Sequence, residues 1–195
     1  PAHEFDIAMA LANPAAISHW SAMHHHSLTE QAPRKVFVLT TTQGSVPTLR
    51  TKGDYRIGDT AYQFIKVRPE RFFGTEKVWI FDRRMTVTNL ERTLIDGLTM
   101  PKYCGDFSEV LHAFDVASEK INLERIIDYA LKLDAATAKR VGWILERRGV
   151  ALERLSPLAN LPVKGYRILD PTGPRKGPCH RYWMIQENLP GKMKL

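Results

Sequence analysis

Hydrophobic residues recur at helical spacing near the N-terminus of the chain. Residues 4–11 carry apolar side chains three and four positions apart, and this spacing predicts a short helix. The Asn13-Pro14 pair then interrupts the pattern. Because Asn is a preferred N-cap and Pro fits the first turn of a helix, we predict a second helix from Pro14 to about His26.

The next part of the chain is rich in β-branched and aromatic residues, which favour strands. The run that begins at Lys35 is almost continuously apolar, as expected of a buried strand. Later runs are separated by short polar segments that are typical of turns. The predicted strands are 35–42, the pair 49–57 and 60–67 around Gly58, and the hairpin 78–81 and 85–88 around Asp82-Arg83-Arg84.

After residue 88 the sequence contains several residues that are typical of helix N-caps. Thr88 and Glu91 match a capping box, so we predict a helix that opens there and ends near Gly97–Pro101. Three further helices are predicted from polar residues that precede apolar periodic runs. Their caps and ends are Asp106 or Ser108 to Ala117, Asn122 to Leu133, and Asp134 to Arg148, the last closed by Gly149.

The C-terminal part predicts two short strands, 166–169 and 181–185, around a mobile loop rich in Pro and Gly at 170–180. The order of helices, strands, helices and strands predicts an α+β fold. We expect a mixed or antiparallel β-sheet with an N-terminal helix pair, a following cluster of about four helices, and short C-terminal strands.

Sequence features favour a cytoplasmic protein. No run of 18 apolar residues is present, so no membrane span is predicted, and the N-terminus lacks the basic and apolar regions of a secretory signal. Cys104 and Cys179 lie far apart and are interpreted as free thiols in a reducing compartment.

Positive charge is concentrated toward the C-terminus. The whole chain has a net charge of +7, and thirteen basic and five acidic residues follow position 131. Such a balance favours a polyanionic or acidic partner, although an ordinary solvated surface is equally consistent with it. The candidate contacts with nucleic acid or with a protein partner are Lys139, Arg140, Arg147 and Arg148, expected along one side of a helix, and Arg175, Lys176 and Arg181.

Patterns that would indicate catalysis are incomplete. His19 and His24–His26 lack the spacing of a zinc site and are interpreted as residues at a helix end. A magnesium-dependent nuclease would need an acid two positions before Lys66, and none is there. Glu91, Arg92 and Asp96 could form either an acid/base site or a buried ion-pair network, and we favour the network. We therefore predict no catalytic residues, no metal and no cofactor.

Three stretches in this order resemble the C-terminal domain of AbiEi-type antitoxins. They are Ala16 to Glu30, the strand that begins at Lys35, and Val87-Thr-Asn-Leu-Glu-Arg-Thr-Leu-Ile-Asp96. After them, Pro101 to Val110 and the helix through Arg140 to Glu146 match the same order. The resemblance covers about residues 15–150. Its structural signature is Ser18, His19, Thr88, Glu91, Arg92 and Asp96.

The resemblance implies a non-catalytic regulator of type IV toxin–antitoxin operons in bacterial phage defence by abortive infection. Family members join a DNA-binding winged helix to a domain that counteracts a nucleotidyltransferase-like toxin. We expect residues 1–14 to be a short helical segment in place of the winged helix, and 151–195 to be a basic extension packed on the antitoxin domain. The expected partners are the toxin and, weakly and without sequence preference, DNA. Alternatives are an enzyme related to restriction nucleases and a plain DNA-binding module.

Overall fold

The computed structural model describes residues 2–48 and 54–191. The fold is α+β, as predicted, with seven α-helices, a mixed six-stranded sheet and a small three-stranded sheet among these residues. The chain divides into two compact units, Pro1–Thr93 and Leu94–Leu195. None of the helices in the described part of the chain is both long and apolar enough to cross a membrane.

The N-terminal unit is built on the six-stranded sheet, in which β2 and β4 pair in parallel and the hairpins β3–β4 and β5–β6 are antiparallel. The strand order is β3-β4-β2-β1-β6-β5. A buried apolar cluster, with Phe5 and Ala8 of the first helix against Val38 and Val87 of the sheet, fixes that helix in place. The elements are α1 (Glu4–Leu11), β1 (Ala16–Ile17), α2 (His19–His25), β2 (Lys35–Thr41), β3 (Tyr55–Ile57), β4 (Thr60–Val67), β5 (Thr75–Ile80) and β6 (Arg83–Thr88).

The strands and hairpins of this unit follow the sequence pattern closely. Both predicted hairpins are confirmed, with Gly58-Asp59 and Phe81-Asp82 in their turns. Arg83 and Arg84, predicted in the second turn, belong to β6, where they pair with Ile80 and Trp79. Residues 49–53 of the predicted strand 49–57 lie outside the described residues.

The predicted second helix is wrong at its start. Ala16 and Ile17 form strand β1, which pairs with β2 on one side and with Val87 of β6 on the other. Asn13 does not cap a helix, because its backbone pairs with Ser45. Helix α2 starts only at His19, with Ser18 at the N-cap. A two-residue apolar run has no periodicity of its own, so its distant strand partners decide its structure.

Helix α3 (Leu90–Thr99) is capped by Asn89, not by Thr88 as predicted. The Asn89 Oδ1 accepts from the backbone N–H of Arg92 at 3.1 Å. Thr88 is the last residue of β6, and its hydroxyl lies 2.8 Å from that of Thr93. Both residues are good caps by type, and the sheet pairing of Thr88 shifts the helix start by one position.

We expect Asn89→Ala to lower the free energy of unfolding by about 1 kcal/mol, because the Arg92 N–H loses its acceptor. Asn89→Asp is the matched control, since Asp caps as well as Asn and should keep stability close to that of the parent. Urea unfolding of the three proteins measures the difference. An equal loss in both variants would show that the cap contributes little.

The C-terminal unit packs helices against a small sheet of order β7-β9-β8. The predicted caps are confirmed: Asp106, Asn122 and Asp134 each accept from the backbone N–H three residues later. Gly149 follows the third helix with φ of 86°. The elements are α4 (Phe107–Ala117), α5 (Leu123–Leu133), α6 (Ala135–Arg147), α7 (Leu152–Ala159), β7 (Arg167–Ile168), β8 (Cys179–His180) and β9 (Ile185–Gln186).

Two features of this unit were not predicted. Helix α7 contains Pro157, a residue that usually ends a helix, so the pattern around it was not interpreted as helical. Residues 181–184, predicted as strand, form a turn between β8 and β9, while β8 lies inside the predicted loop 170–180. Strands of two residues are defined by their partners and leave almost no local signal.

Candidate functional site

Lys139 and Arg140 of α6, two of the predicted contact residues, are buried inside the C-terminal unit. Lys139 is 2% exposed and its Nζ donates to the backbone carbonyl of Ala159 at the end of α7. Arg140 is 9% exposed and its Nε donates to the carbonyl of Ile168 in β7 at 3.0 Å. Burial lowers the pKa of both side chains. These two cations hold α7 and the small sheet onto α6.

Arg147 and Arg148 at the end of α6 also contact their own unit. Arg148 lies 2.7 Å from Asp115 and donates to the carbonyl of Leu111, so it joins α6 to α4. Arg147 lies over the ring of Trp143 and 3.7 Å from Glu187, and it stays partly exposed. The prediction that Lys139, Arg140, Arg147 and Arg148 form one exposed basic face is therefore wrong. Helical spacing gives their angular positions and says nothing about which side of the helix is covered.

Arg175, Lys176 and Arg181, the other predicted contacts, are exposed. They flank β8, with Arg175 and Lys176 just before it and Arg181 directly after it. Among the described residues, none of the acids lies within ion-pair distance of these three side chains. We call these three residues, with the exposed Tyr166 and Tyr182, the C-terminal basic surface.

Trp183 anchors one part of this surface, the turn with Arg181 and Tyr182, to α6. It is 1% exposed, its ring lies directly over Gly142, and its indole N–H donates to Glu146 one turn later. The neighbouring Tyr182 ring contacts the Trp183 ring edge-on at 5.1 Å. The turn that carries Arg181 and Tyr182 is therefore fixed by a buried aromatic side chain.

The acids of the same segment are engaged within it. The Asp170 carboxylate accepts from the backbone N–H and the hydroxyl of Thr172. The side-chain amide of Asn188 accepts from the backbone N–H of Asp170 and donates to its backbone carbonyl. Glu187 lies 2.7 Å from His180. These contacts order the loop before β8 and leave the cations as the charged groups that face solvent.

The signature residues near the N-terminus act structurally. Ser18 donates its backbone N–H to Phe37 of β2, and its hydroxyl lies 2.8 Å from Nδ1 of the buried His19. His26 Nε2 lies 2.7 Å from the carbonyl of Thr88 at the end of β6. In residues 2–48 and 54–191, no three His, Cys, Asp or Glu side chains are grouped as metal ligands.

Glu91, Arg92 and Asp96 are all buried on α3. The Arg92 Nη1 donates to the backbone carbonyls of Arg71 at 2.7 Å and Phe73 at 3.0 Å, and its guanidinium lies 4.6 Å from the centre of the Phe73 ring. The side chain thereby ties the segment before β5 to the start of α3. Lys66, the residue considered for a nuclease, is exposed on β4, and the nearby acid Asp54 pairs with Lys35 at 2.7 Å.

The sequence interpretation missed the surface of hairpin β5–β6. Lys77 and Trp79 of β5 share a face with Arg84 and Thr86 of β6, in the cross-strand pairs Lys77↔Thr86 and Trp79↔Arg84. Trp79 is 71% exposed. Beside them lies an open cavity of about 370 Å³, lined partly by Lys77, Arg84 and Thr86. The two-residue period of β5 was the available signal, because it places Lys77 and Trp79 on the same face.

Comparison with known proteins supports the fold. No protein-family model matches the chain, and no curated protein is similar to it in sequence. Its fold is similar to the crystal structure of the Rv2827c protein from Mycobacterium tuberculosis, with a TM-score of 0.62 and 11% sequence identity. The match covers 88% of this chain and 61% of the Mycobacterium tuberculosis chain. At this identity the likeness establishes a shared fold and nothing about activity.

Proposed function

We propose that this chain is a non-catalytic antitoxin domain of the AbiEi type, which counteracts a nucleotidyltransferase-like toxin by binding to it. The observation that carries the proposal is the C-terminal basic surface: three exposed cations around β8, of which Arg181 lies on a turn that Trp183 fixes to α6. The family resemblance of residues 15–150 supplies the class of partner. Arg175, Lys176 and Arg181 replace the α6 residues as the proposed contacts.

The chemistry of the surface favours an acidic partner. Arginine and tyrosine are enriched among the side chains that contribute most at protein interfaces. Because Trp183 holds the turn that carries Arg181 and Tyr182, ordering this turn on binding costs less conformational entropy. Unpaired cations attract an acidic region of the toxin over a distance of about 8–10 Å at physiological salt, which mainly raises the association rate.

The proposal assigns no chemical step to the domain. It is supported by the position of Glu91, Arg92 and Asp96, which are buried on α3, where Arg92 binds backbone carbonyls. A group that fixes two segments of backbone in the interior is poorly placed to meet a substrate.

Weak nucleic-acid binding is a second candidate function of the same surface. Tyr182 is 52% exposed beside Arg181, and Tyr166 is also exposed. Cations interleaved with aromatic rings bind phosphates and stack on bases without reading sequence. This function predicts an affinity for duplex or single strands that falls steeply as salt rises and does not depend on base order.

We expect the triple reversal Arg175→Glu, Lys176→Glu and Arg181→Glu to abolish growth rescue when the chain is co-expressed with a nucleotidyltransferase-like toxin. Association with the purified toxin should slow by at least about tenfold, because attraction becomes repulsion. Stopped-flow or surface-based kinetics at two salt concentrations measure the rate.

The matched control replaces three exposed cations elsewhere in the same unit by Glu, and this variant should still rescue growth. The three residues are Lys102, Lys120 and Arg154. If a folded parent chain fails to rescue, the antitoxin proposal is wrong. If the first triple variant rescues as well as the control, the toxin contact lies elsewhere. Loss of nucleic-acid affinity with toxin binding unchanged would assign this surface to the second candidate.

A further inference from the structure

The cavity beside hairpin β5–β6 has the composition of an anion site on the side that the hairpin forms, and Met9, Ala12, Pro14, Ala15 and Phe72 line most of the rest. It has a volume of about 370 Å³, within the range of small-molecule sites. Lys77 and Arg84 contribute its positive charge, and Thr75 and Thr86 contribute hydroxyls. None of the residues that line it is an Asp or Glu.

The two cations are placed diagonally across the hairpin. Lys77 pairs with Thr86, and Arg84 pairs with Trp79, so all four side chains lie on one face. Diagonal neighbours on adjacent strands are about 7–8 Å apart, a separation that a phosphate group can bridge. The ammonium of Lys77 donates one hydrogen to the Thr86 hydroxyl, which leaves two for a ligand.

Arg84 is available to a ligand. Its side chain is exposed, and in the described part of the chain it has neither an ion pair nor a hydrogen bond. The acids of the hairpin point away from it or lie in the turn: Glu76 is on the opposite face of β5, and Asp82 is in the turn. A guanidinium presents a planar pair of donors that matches phosphate geometry.

An aromatic ring lies at each side of this arrangement. Trp79 is directly across from Arg84 and is 71% exposed, and Phe72 lines the cavity. An exposed tryptophan beside a cation is a stacking platform for a nucleobase whose phosphate the cation binds.

We propose that this cavity and the adjoining Trp79 together bind a nucleotide, with its phosphate between Lys77 and Arg84 and its base on Trp79. The phosphate belongs either to a free mononucleotide or to a single-stranded nucleic acid. The site lies entirely within the N-terminal unit and is distinct from the C-terminal basic surface.

The test titrates the full chain by calorimetry with adenosine monophosphate, adenosine, inorganic phosphate and a single-stranded RNA pentamer. Adenosine monophosphate should bind saturably and at least about tenfold more tightly than adenosine or phosphate, because both halves of the site contribute. Arg84→Gln should weaken nucleotide binding by about tenfold. Trp79→Ala should weaken nucleotide binding by a similar factor and leave phosphate binding unchanged.

The matched control is Arg83→Gln, which removes the adjacent charge on the opposite face of β6, where Arg83 lies 4.0 Å from Asp6. It should stay within about twofold of the parent. Comparison of the affinities for adenosine monophosphate and for the RNA pentamer shows whether the phosphate belongs to a free mononucleotide or to a single-stranded nucleic acid. Absence of saturable binding by both at millimolar concentration, or equal losses in Arg83→Gln and Arg84→Gln, would overturn the proposal. Thermal melts confirm that the exposed substitutions leave the protein folded.

Discussion

Gly142→Ala is expected to lower the free energy of unfolding by about 3 kcal/mol, because it displaces the buried ring of Trp183. A Cβ on Gly142 would lie 2.0 Å and 2.3 Å from two ring carbons, closer than any packed atoms come. The ring is 1% exposed and its N–H is bonded to Glu146, so it has no room to move aside. The melting temperature should fall by about 10 °C.

A double-mutant cycle isolates this contact. In isolation, Ala is better than Gly in a helix by about 1 kcal/mol. In a Trp183→Ala background the obstruction is gone, so Gly142→Ala should be neutral or slightly stabilising there. If it destabilises the Trp183→Ala protein as much as the parent, then contact with Trp183 is not the reason for glycine at this position.

Arg92→Ala is expected to lower the free energy of unfolding by about 3 kcal/mol. The substitution leaves the carbonyls of Arg71 and Phe73 without the donor that serves both, and it empties the volume of a side chain that is 1% exposed. It also removes the contact between the guanidinium and the Phe73 ring. Arg92→Lys should recover part of the loss, since one ammonium can reach one of the two carbonyls. Chemical unfolding of the three proteins gives the values.

The functional readout separates this structural role from catalysis. Below its lowered melting temperature, the Arg92→Ala chain should still counteract the toxin in co-expression. Unchanged stability together with complete loss of the biological effect would instead make Arg92 a functional contact. That outcome would reopen the acid/base interpretation of Glu91, Arg92 and Asp96.

Sequence reasoning succeeded where the deciding interaction is local. The caps Asp106, Asn122 and Asp134 were predicted correctly because each bonds a backbone N–H only three residues away. The hairpins were predicted because their turns join strands that are adjacent in the chain. In these cases the segment that signals the element also contains its partners.

It failed where the deciding partner is distant in the chain. Lys139 and Arg140 looked like surface cations, and their burial depends on the carbonyls of Ala159 and Ile168. Helix α3 is capped by Asn89 and not by the predicted Thr88, because Thr88 is held in the sheet as the last residue of β6. For the candidate site, the identities of Arg175, Lys176 and Arg181 were available from charge, whereas the anchoring of the Arg181 turn by Trp183 was not.

The position of β1 has a consequence for how the protein is made. Ile17 pairs with Val38 on one side and with Val87 on the other, so β1 joins two parts of the sheet that are far apart in the chain. During translation Ile17 emerges before Val38, and Val87 emerges only after most of the N-terminal unit has been synthesised. Pairing of such high contact order is slow, so the edge of β1 that pairs with Val87 stays uncovered in the nascent chain after the edge toward β2 can already pair.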